Sequence, residues 1–157
     1  MQHPYFLVAI ENDVTSIADI LIKNGAYLNA KNRDGYTPLL QAISKNNAKV
    51  VELLLMKGAV FHEIFYGSKT PLSIAIGRQN EEIIGILASF GANLNYKKDE
   101  SPLIHRVIDM KYTKMTKVLV TNGASMEVKD GQNYCPFEKS LSVKQLDIAK
   151  LIVYNTM

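Results

Sequence analysis

Apolar residues in this chain gather in short runs of helical spacing, and the polar punctuation between them returns at an almost constant interval. Paired apolar positions fall at Ile20-Leu21, Leu53-Leu54, Ile86-Leu87, Val118-Leu119 and Leu151-Ile152, separated by 33, 33, 32 and 33 residues. Each of the first four runs closes on a Gly-Ala pair, at Gly25-Ala26, Gly58-Ala59, Gly91-Ala92 and Gly123-Ala124, spaced 33, 33 and 32. A small polar residue followed by proline opens the run before: Thr37-Pro38, Thr70-Pro71, Ser101-Pro102 and Cys135-Pro136. Three independent markers held in one register define a repeat protein.

Each marker has a physical role. Ser or Thr before Pro supplies a side-chain acceptor at the N-cap and a preset φ at the first helical position, where the missing N–H costs nothing. A first helix therefore starts at each opening. About ten residues later a second helix is expected behind a further cap, at Asp13, Asn47, Asn80, Thr113 or Ser142. Glu81 and Glu82 suit the positive end of the helix that follows Asn80, and Ser142 with Gln145 has capping-box spacing. The glycines then supply the left-handed residue that ends the second helix. The predicted unit is helix, short turn, helix, extended loop.

These residues resemble the ankyrin repeat, whose hallmark is Thr-Pro-Leu-His-x-Ala in a 33-residue unit. Here the stretch reads Gly35-Tyr36-Thr37-Pro38-Leu39-Leu40-Gln41-Ala42 and again Thr70-Pro71-Leu72-Ser73-Ile74-Ala75. The family's outer helix is matched by Val50-Val51-Glu52-Leu53-Leu54-Leu55 and by Ile83-Ile84-Gly85-Ile86-Leu87. The resemblance spans the chain as one domain, residues 1–157, of five units: about 1–30, 31–63, 64–96, 97–128 and 129–157. It implies an all-α repeat solenoid, an ankyrin stack of helix-turn-helix units joined by β-hairpin-like loops, with the first and last units as caps.

The pattern also departs from the family. Leu40 and Ser73 replace the motif His. In the fourth unit Pro102 to Gly123 is 21 residues, where the corresponding distance elsewhere is 20, and two alignments remain open. Counted from Pro102, Arg106 takes the small Ala position; counted back from Gly123, Val107 takes it and His105 becomes the motif His. Gly85 in mid-helix costs roughly 1 kcal/mol relative to Ala, so units three and four are expected to be the weaker part.

Composition narrows the function. The chain has 157 residues, 47% hydrophobic and 21% charged, with a net charge of +3. No apolar stretch approaches the roughly 20 residues needed to cross a bilayer, and the start, Met1-Gln2-His3-Pro4, lacks a basic n-region, so a cytoplasmic or nuclear location is expected, or delivery into a host cell if the source is microbial. The single cysteine, Cys135, excludes an intrachain disulfide; it stands where the motif has Thr and reads as a small residue opening a helix. His3, His62 and His105 are too scattered for a zinc site, so neither metal nor cofactor is expected. No nucleophile elbow, zinc-protease helix, phosphate loop or dinucleotide fingerprint is present, which argues against an enzyme. Lys111, Lys114 and Lys117 lie on or beside the fourth outer helix, where a charge stripe reads as a solvated convex face and not as a nucleic-acid site.

What remains is a surface for another protein. The family binds through its loop fingers and the exposed face of its inner helices, and the fingers here are aromatic. Tyr36, Lys69 and Tyr134 precede the helix openings, and the loop 61–69 carries Ile64, Phe65 and Tyr66 where the family usually shows charge. Phe61 and Ile64 have an alternative role, packing between neighbouring fingers. The expected contact set is completed by Arg33, Asp34, Gln41, Ser44, Lys45, Arg78, Lys97 and Lys98. Its mildly basic character points to a partner with an acidic surface. The favoured reading is a non-enzymatic module that binds and regulates or sequesters a partner, as small ankyrin-only inhibitors do. The alternative is a targeting or adaptor domain of a larger effector, either a host-directed microbial protein or a ubiquitin-ligase adaptor. The apolar Leu146, Val153 and Tyr154 on the last helix leave it as an adequate cap on a monomer, as a dimer contact, or as a helix that more chain would follow. Asn29 and Asn95 resemble loop asparagines hydroxylated in some ankyrin proteins, with turn hydrogen bonding as the plainer role.

Overall fold

The Thr-Pro openings become helix starts with the expected chemistry. In the computed structural model, which describes residues 4–62, 70–98 and 101–156, Thr37 Oγ1 accepts from the Leu40 N–H at 3.3 Å ahead of α3 (Pro38–Ser44). Ahead of α5 (Pro71–Gly77), Thr70 Oγ1 accepts from the Ser73 N–H at 3.1 Å and Ser73 Oγ accepts from the Thr70 N–H at 2.9 Å. Ahead of α9 (Pro136–Ser142), Glu138 Oε2 accepts from the Cys135 N–H at 2.8 Å. The other inner helices are α1 (Pro4–Glu11) and α7 (Leu103–Asp109). The outer helices are α2 (Thr15–Lys23), α4 (Ala48–Met56), α6 (Glu81–Ser89), α8 (Thr113–Thr121) and α10 (Leu146–Thr156). This is an all-α repeat architecture.

The chain divides into two units, Met1–Ala92 and Asn93–Met157. In the first, α1, α3 and α5 pack in a row, each against its own outer helix, and α2, α4 and α6 form the second layer. Phe6, Leu39, Ile43, Val51, Leu54, Ile84 and Leu87 are fully enclosed between the layers. In the second unit α7 packs on α8 and α9, and α10 on α8 and α9, around Ile104, Val107, Ile108, Leu119 and Ile148. A two-residue antiparallel ladder, β1 (Lys97–Lys98) with β2 (Ser101–Pro102), pairs Lys97 with Pro102 and Lys98 with Ser101.

The fourth repeat follows the register counted back from Gly123. Val107 is enclosed at the place taken by Ala42 and Ala75 elsewhere, His105 takes the motif position, and Arg106 is half-buried. The extra residue is absorbed before the helix: Pro102 stays extended in β2, and α7 begins at Leu103. Gly85 lies inside an unbroken α6.

The outer-helix caps were legible only in part. Asn47 and Asn80 cap as expected, accepting from Val50 N–H at 3.1 Å and Ile83 N–H at 2.9 Å. The equivalent caps of α2 and α8 are Val14 and Tyr112, so Asp13 lies one residue early and Thr113 one late. Ser142 is the last residue of α9 and its hydroxyl donates to the Lys139 carbonyl at 2.7 Å, so no box forms with Gln145. The cause is a left-handed residue in every inter-helix turn, at Asp13, Asn46, Gln79, Lys111 and Lys144, with φ between 57 and 64°. That residue turns the chain immediately before the cap, and so fixes where the cap can be.

Candidate partner-binding surface

Two fingers are built alike from different side chains. In the first unit Asn32 Oδ1 accepts from the N–H groups of Asp34 at 3.0 Å and Tyr36 at 2.8 Å, while the Asn32 N–H donates to the Tyr36 carbonyl at 3.0 Å. In the second, Asp130 Oδ1 accepts from Gln132 N–H and Tyr134 N–H, both at 3.0 Å, and the Asp130 N–H donates to the Tyr134 carbonyl at 3.1 Å. Gly35 and Asn133 provide the left-handed residue that each turn requires, with φ of 76 and 66°. The side chain at the finger's base thus replaces ladder partners that so short a hairpin lacks.

The first finger holds Arg33 and Asp34 exposed at its tip and Tyr36 half-buried at its root. Below it, along α3, Ser44 is half-buried and Lys45 is exposed as the C-cap; Arg78 is the exposed C-cap of α5, one repeat further on. Both cations also suit the partial negative charge of a helix C-terminus. Gln41 is the member of the expected set that the fold encloses, with Oε1 buried. In the second unit Lys97 is exposed on β1, the Lys98 backbone lies in the same strand, and Tyr134 is exposed at the finger's root. Ile64, Phe65, Tyr66 and Lys69 lie outside the described residues.

Sequence reasoning missed the interactions that hold the second finger. His105, wholly buried on α7, places Nε2 at 2.8 Å from the Tyr134 carbonyl oxygen, which can only accept, so the proton sits on Nε2. Lys139 on α9 sits between Asp109, at the end of α7, and Asp130, with Nζ–O distances of 3.2 and 3.3 Å. Burial works to raise the Asp130 pKa, but the Tyr134 and Gln132 amides and the Lys139 ammonium outweigh it, and the carboxyl titrates below its ordinary range. Lys139 is held above its ordinary value: burial opposes its charge, and the two aspartates more than compensate. The intervals between these residues matched no motif, and the open register at Arg106 and Val107 hid the role of His105. The loop asparagines also act structurally: Asn29 Oδ1 accepts from Val60 N–H at 2.9 Å and Asn95 Oδ1 from Ser125 N–H at 2.8 Å, each stitching one loop to the next.

Against this geometry, residues 3–65 match the family model for ankyrin repeats in three copies. Residues 3–65 carry ankyrin repeats. The match takes in α1 to α4 and the first finger, and the helical pairs α5–α6, α7–α8 and α9–α10 continue the same order beyond it. No curated protein matches the chain. Ankyrin repeats are generally protein–protein interaction modules. Among the described residues no helix is long and apolar enough to cross a membrane, and no group of three or more His, Cys, Asp or Glu side chains could hold a metal ion.

Proposed function

We propose that this ankyrin-repeat chain is a non-enzymatic binding module that occupies a partner protein through its finger tips and the adjoining ends of its inner helices, and regulates that partner by doing so. The observation that carries this reading is the prepaid order of the fingers: Asn32 and Asp130 fix the turn backbone by side-chain hydrogen bonds while Arg33, Asp34 and Tyr134 remain exposed. A loop ordered before binding loses less conformational entropy when it binds. Exposed Arg33, Lys45, Arg78 and Lys97 favour an acidic partner surface. The sequence of the third finger adds Phe65 and Tyr66, the residue types that most often anchor interfaces.

Affinity capture from lysate with three variants tests the proposal. Arg33→Ala with Asp34→Ala, and separately Phe65→Ala with Tyr66→Ala, are expected to lose the partner that the wild type retains. Lys49→Ala with Glu52→Ala, both exposed on the outer helix α4, is expected to keep it. A partner held equally by all three variants would exclude the fingers.

A further inference from the structure

On α4, which packs against both α2 and α6, Asn46, Lys49, Glu52 and Met56 remain exposed. An outer helix on either side does not cover these positions, so they face outward. Their equivalents in the other repeats are open to solvent for the same reason, whether or not a further repeat stands beside them. Charge is divided along these rows. In the first unit the positions equivalent to Asn46, Lys49 and Glu52 hold one lysine, Lys49, against Asp13, Asp19, Glu52 and Glu82. In the second unit they hold Lys111, Lys114 and Lys117 at α8, and Lys144, Asp147 and Lys150 at α10, all exposed: five lysines against one acid. Because α10 packs on α8, Lys111 stands beside Lys144 and Lys117 beside Lys150, with the helix axes about 8–10 Å apart.

None of these five lysines makes an ion pair with a described residue, whereas Lys23 is held by Asp19 at 2.8 Å and Lys139 by Asp109 and Asp130. On α8 alone the stripe reads as a solvated face; α10 widens it into a patch with a surplus of four positive charges. Three features select the anion that fits. All five cations are lysine, and an ammonium is a point charge without the planar fork that grips one phosphate or carboxylate in two places, so the patch suits a field of mobile anions. The outward sides of two adjacent helices share one tangent plane, so a flat surface meets both rows, while the backbone of a nucleic-acid duplex curves away from them. Tyr154 follows Lys150 by one turn on the same side of α10 and is 81% exposed; it occupies the row of Met56, and an exposed tyrosine among cations suits the boundary of a bilayer.

We infer that the outer face of the second unit docks on an anionic membrane surface, with Lys111, Lys114, Lys117, Lys144 and Lys150 set against lipid headgroups and Tyr154 among them. The attachment is peripheral and electrostatic. A lysine close to such a surface strengthens binding about fivefold, so a surplus of four favours an anionic over a neutral bilayer by several hundredfold. The inference goes beyond the finger-tip reading, because it uses neither the fingers nor the inner-helix C-caps.

Cosedimentation of the purified chain with phosphatidylcholine vesicles, with and without about 30 mol% phosphatidylserine, tests it. The wild type is expected to bind the anionic vesicles at least about a hundredfold more strongly than the neutral ones, and to be released as salt is raised to about 0.5 M. Lys117→Gln with Lys150→Gln should weaken that binding about twentyfold. Lys49→Gln with Lys57→Gln removes the same charge from exposed positions of the first unit and should change it less than about twofold. All these sites are exposed, so far-UV circular dichroism should show native helicity for both variants. Equal binding to neutral and anionic vesicles, or equal losses in the two variants, overturns the inference. Tighter binding to a DNA duplex than to anionic vesicles at the same salt also overturns it, and would assign the face to nucleic acid. A wild type that stays off anionic vesicles overturns it as well and leaves the finger-tip reading untouched, since these lysines belong to neither the fingers nor the inner helices.

Discussion

Asn47 performs two tasks, and substitution can separate them. Its Oδ1 caps α4 at the Val50 N–H, and its Nδ2 donates backward to Asp13 Oδ1 at 2.6 Å and Thr15 Oγ1 at 2.7 Å, tying the second inter-helix turn to the first. Loss of an Asn cap to Ala costs about 1 kcal/mol. The two donated bonds are partly solvated, so together they add about 0.5–1 kcal/mol net. Asn47→Ala is therefore expected to destabilise the chain by about 1.5–2 kcal/mol, which with a urea slope near 2 kcal/mol per molar lowers the midpoint by roughly 0.8–1 M. Asn47→Asp keeps the cap acceptor and adds a charge favoured at a helix N-terminus, but it donates nothing and opposes the Asp13 carboxylate. It should fall between wild type and Asn47→Ala, and should recover part of its loss in added salt as the repulsion is screened. Urea titrations followed by circular dichroism measure both. If Asn47→Asp equals the wild type, or Asn47→Ala costs less than about 0.5 kcal/mol, the turn-to-turn bonds contribute nothing and the argument fails.

Two further outcomes follow from local geometry. Gly85→Ala should raise the urea midpoint by the equivalent of about 1 kcal/mol, because the residue is helical and a Cβ there would meet nothing within 4 Å; a lowered midpoint would mean that α6 needs the glycine. Asp130 has a depressed folded pKa, so it contributes stability above its unfolded pKa near 3.9, and that contribution is lost as pH falls through the folded value. Asp130→Asn should flatten the acid limb of the stability profile below about pH 4 while leaving the finger ordered, as Asn32 already does with an amide; an unchanged acid limb would remove the Lys139 pairing from the account.

The fold was legible because the residues that specify it repeat at fixed intervals. Thr37, Thr70, Asn47 and Asn80 each bond to backbone within three residues, so their chemistry can be read from local sequence alone. The left-handed turn residues share that interval yet escaped notice, because Asp13, Asn46, Gln79, Lys111 and Lys144 have no common side chain: the turn selects a backbone conformation and leaves the residue type almost free. This is also why Ser142 misled. Its spacing to Gln145 satisfied a local rule, while the position of the cap was fixed by Lys144 and by the 33-residue period.

The candidate surface was less legible for the opposite reason. Gln41 lies on an inner helix next to positions expected to meet a partner, yet the fold encloses it, and nothing in its own neighbourhood distinguishes it from exposed Lys45. Tyr134 draws notice for its aromatic ring, which is exposed, but its carbonyl has a structural role that the residue type does not announce, held by the His105 imidazole and the Asp130 amide. A finger therefore carries two kinds of information. Its root is fixed by the hydrogen bonds of Asn32 or Asp130 to the turn backbone, and substitution there would disturb binding and folding together. Its tip, at Arg33 and Asp34, accepts no such duty from its side chains, so a change there that alters capture without altering stability would report the partner alone.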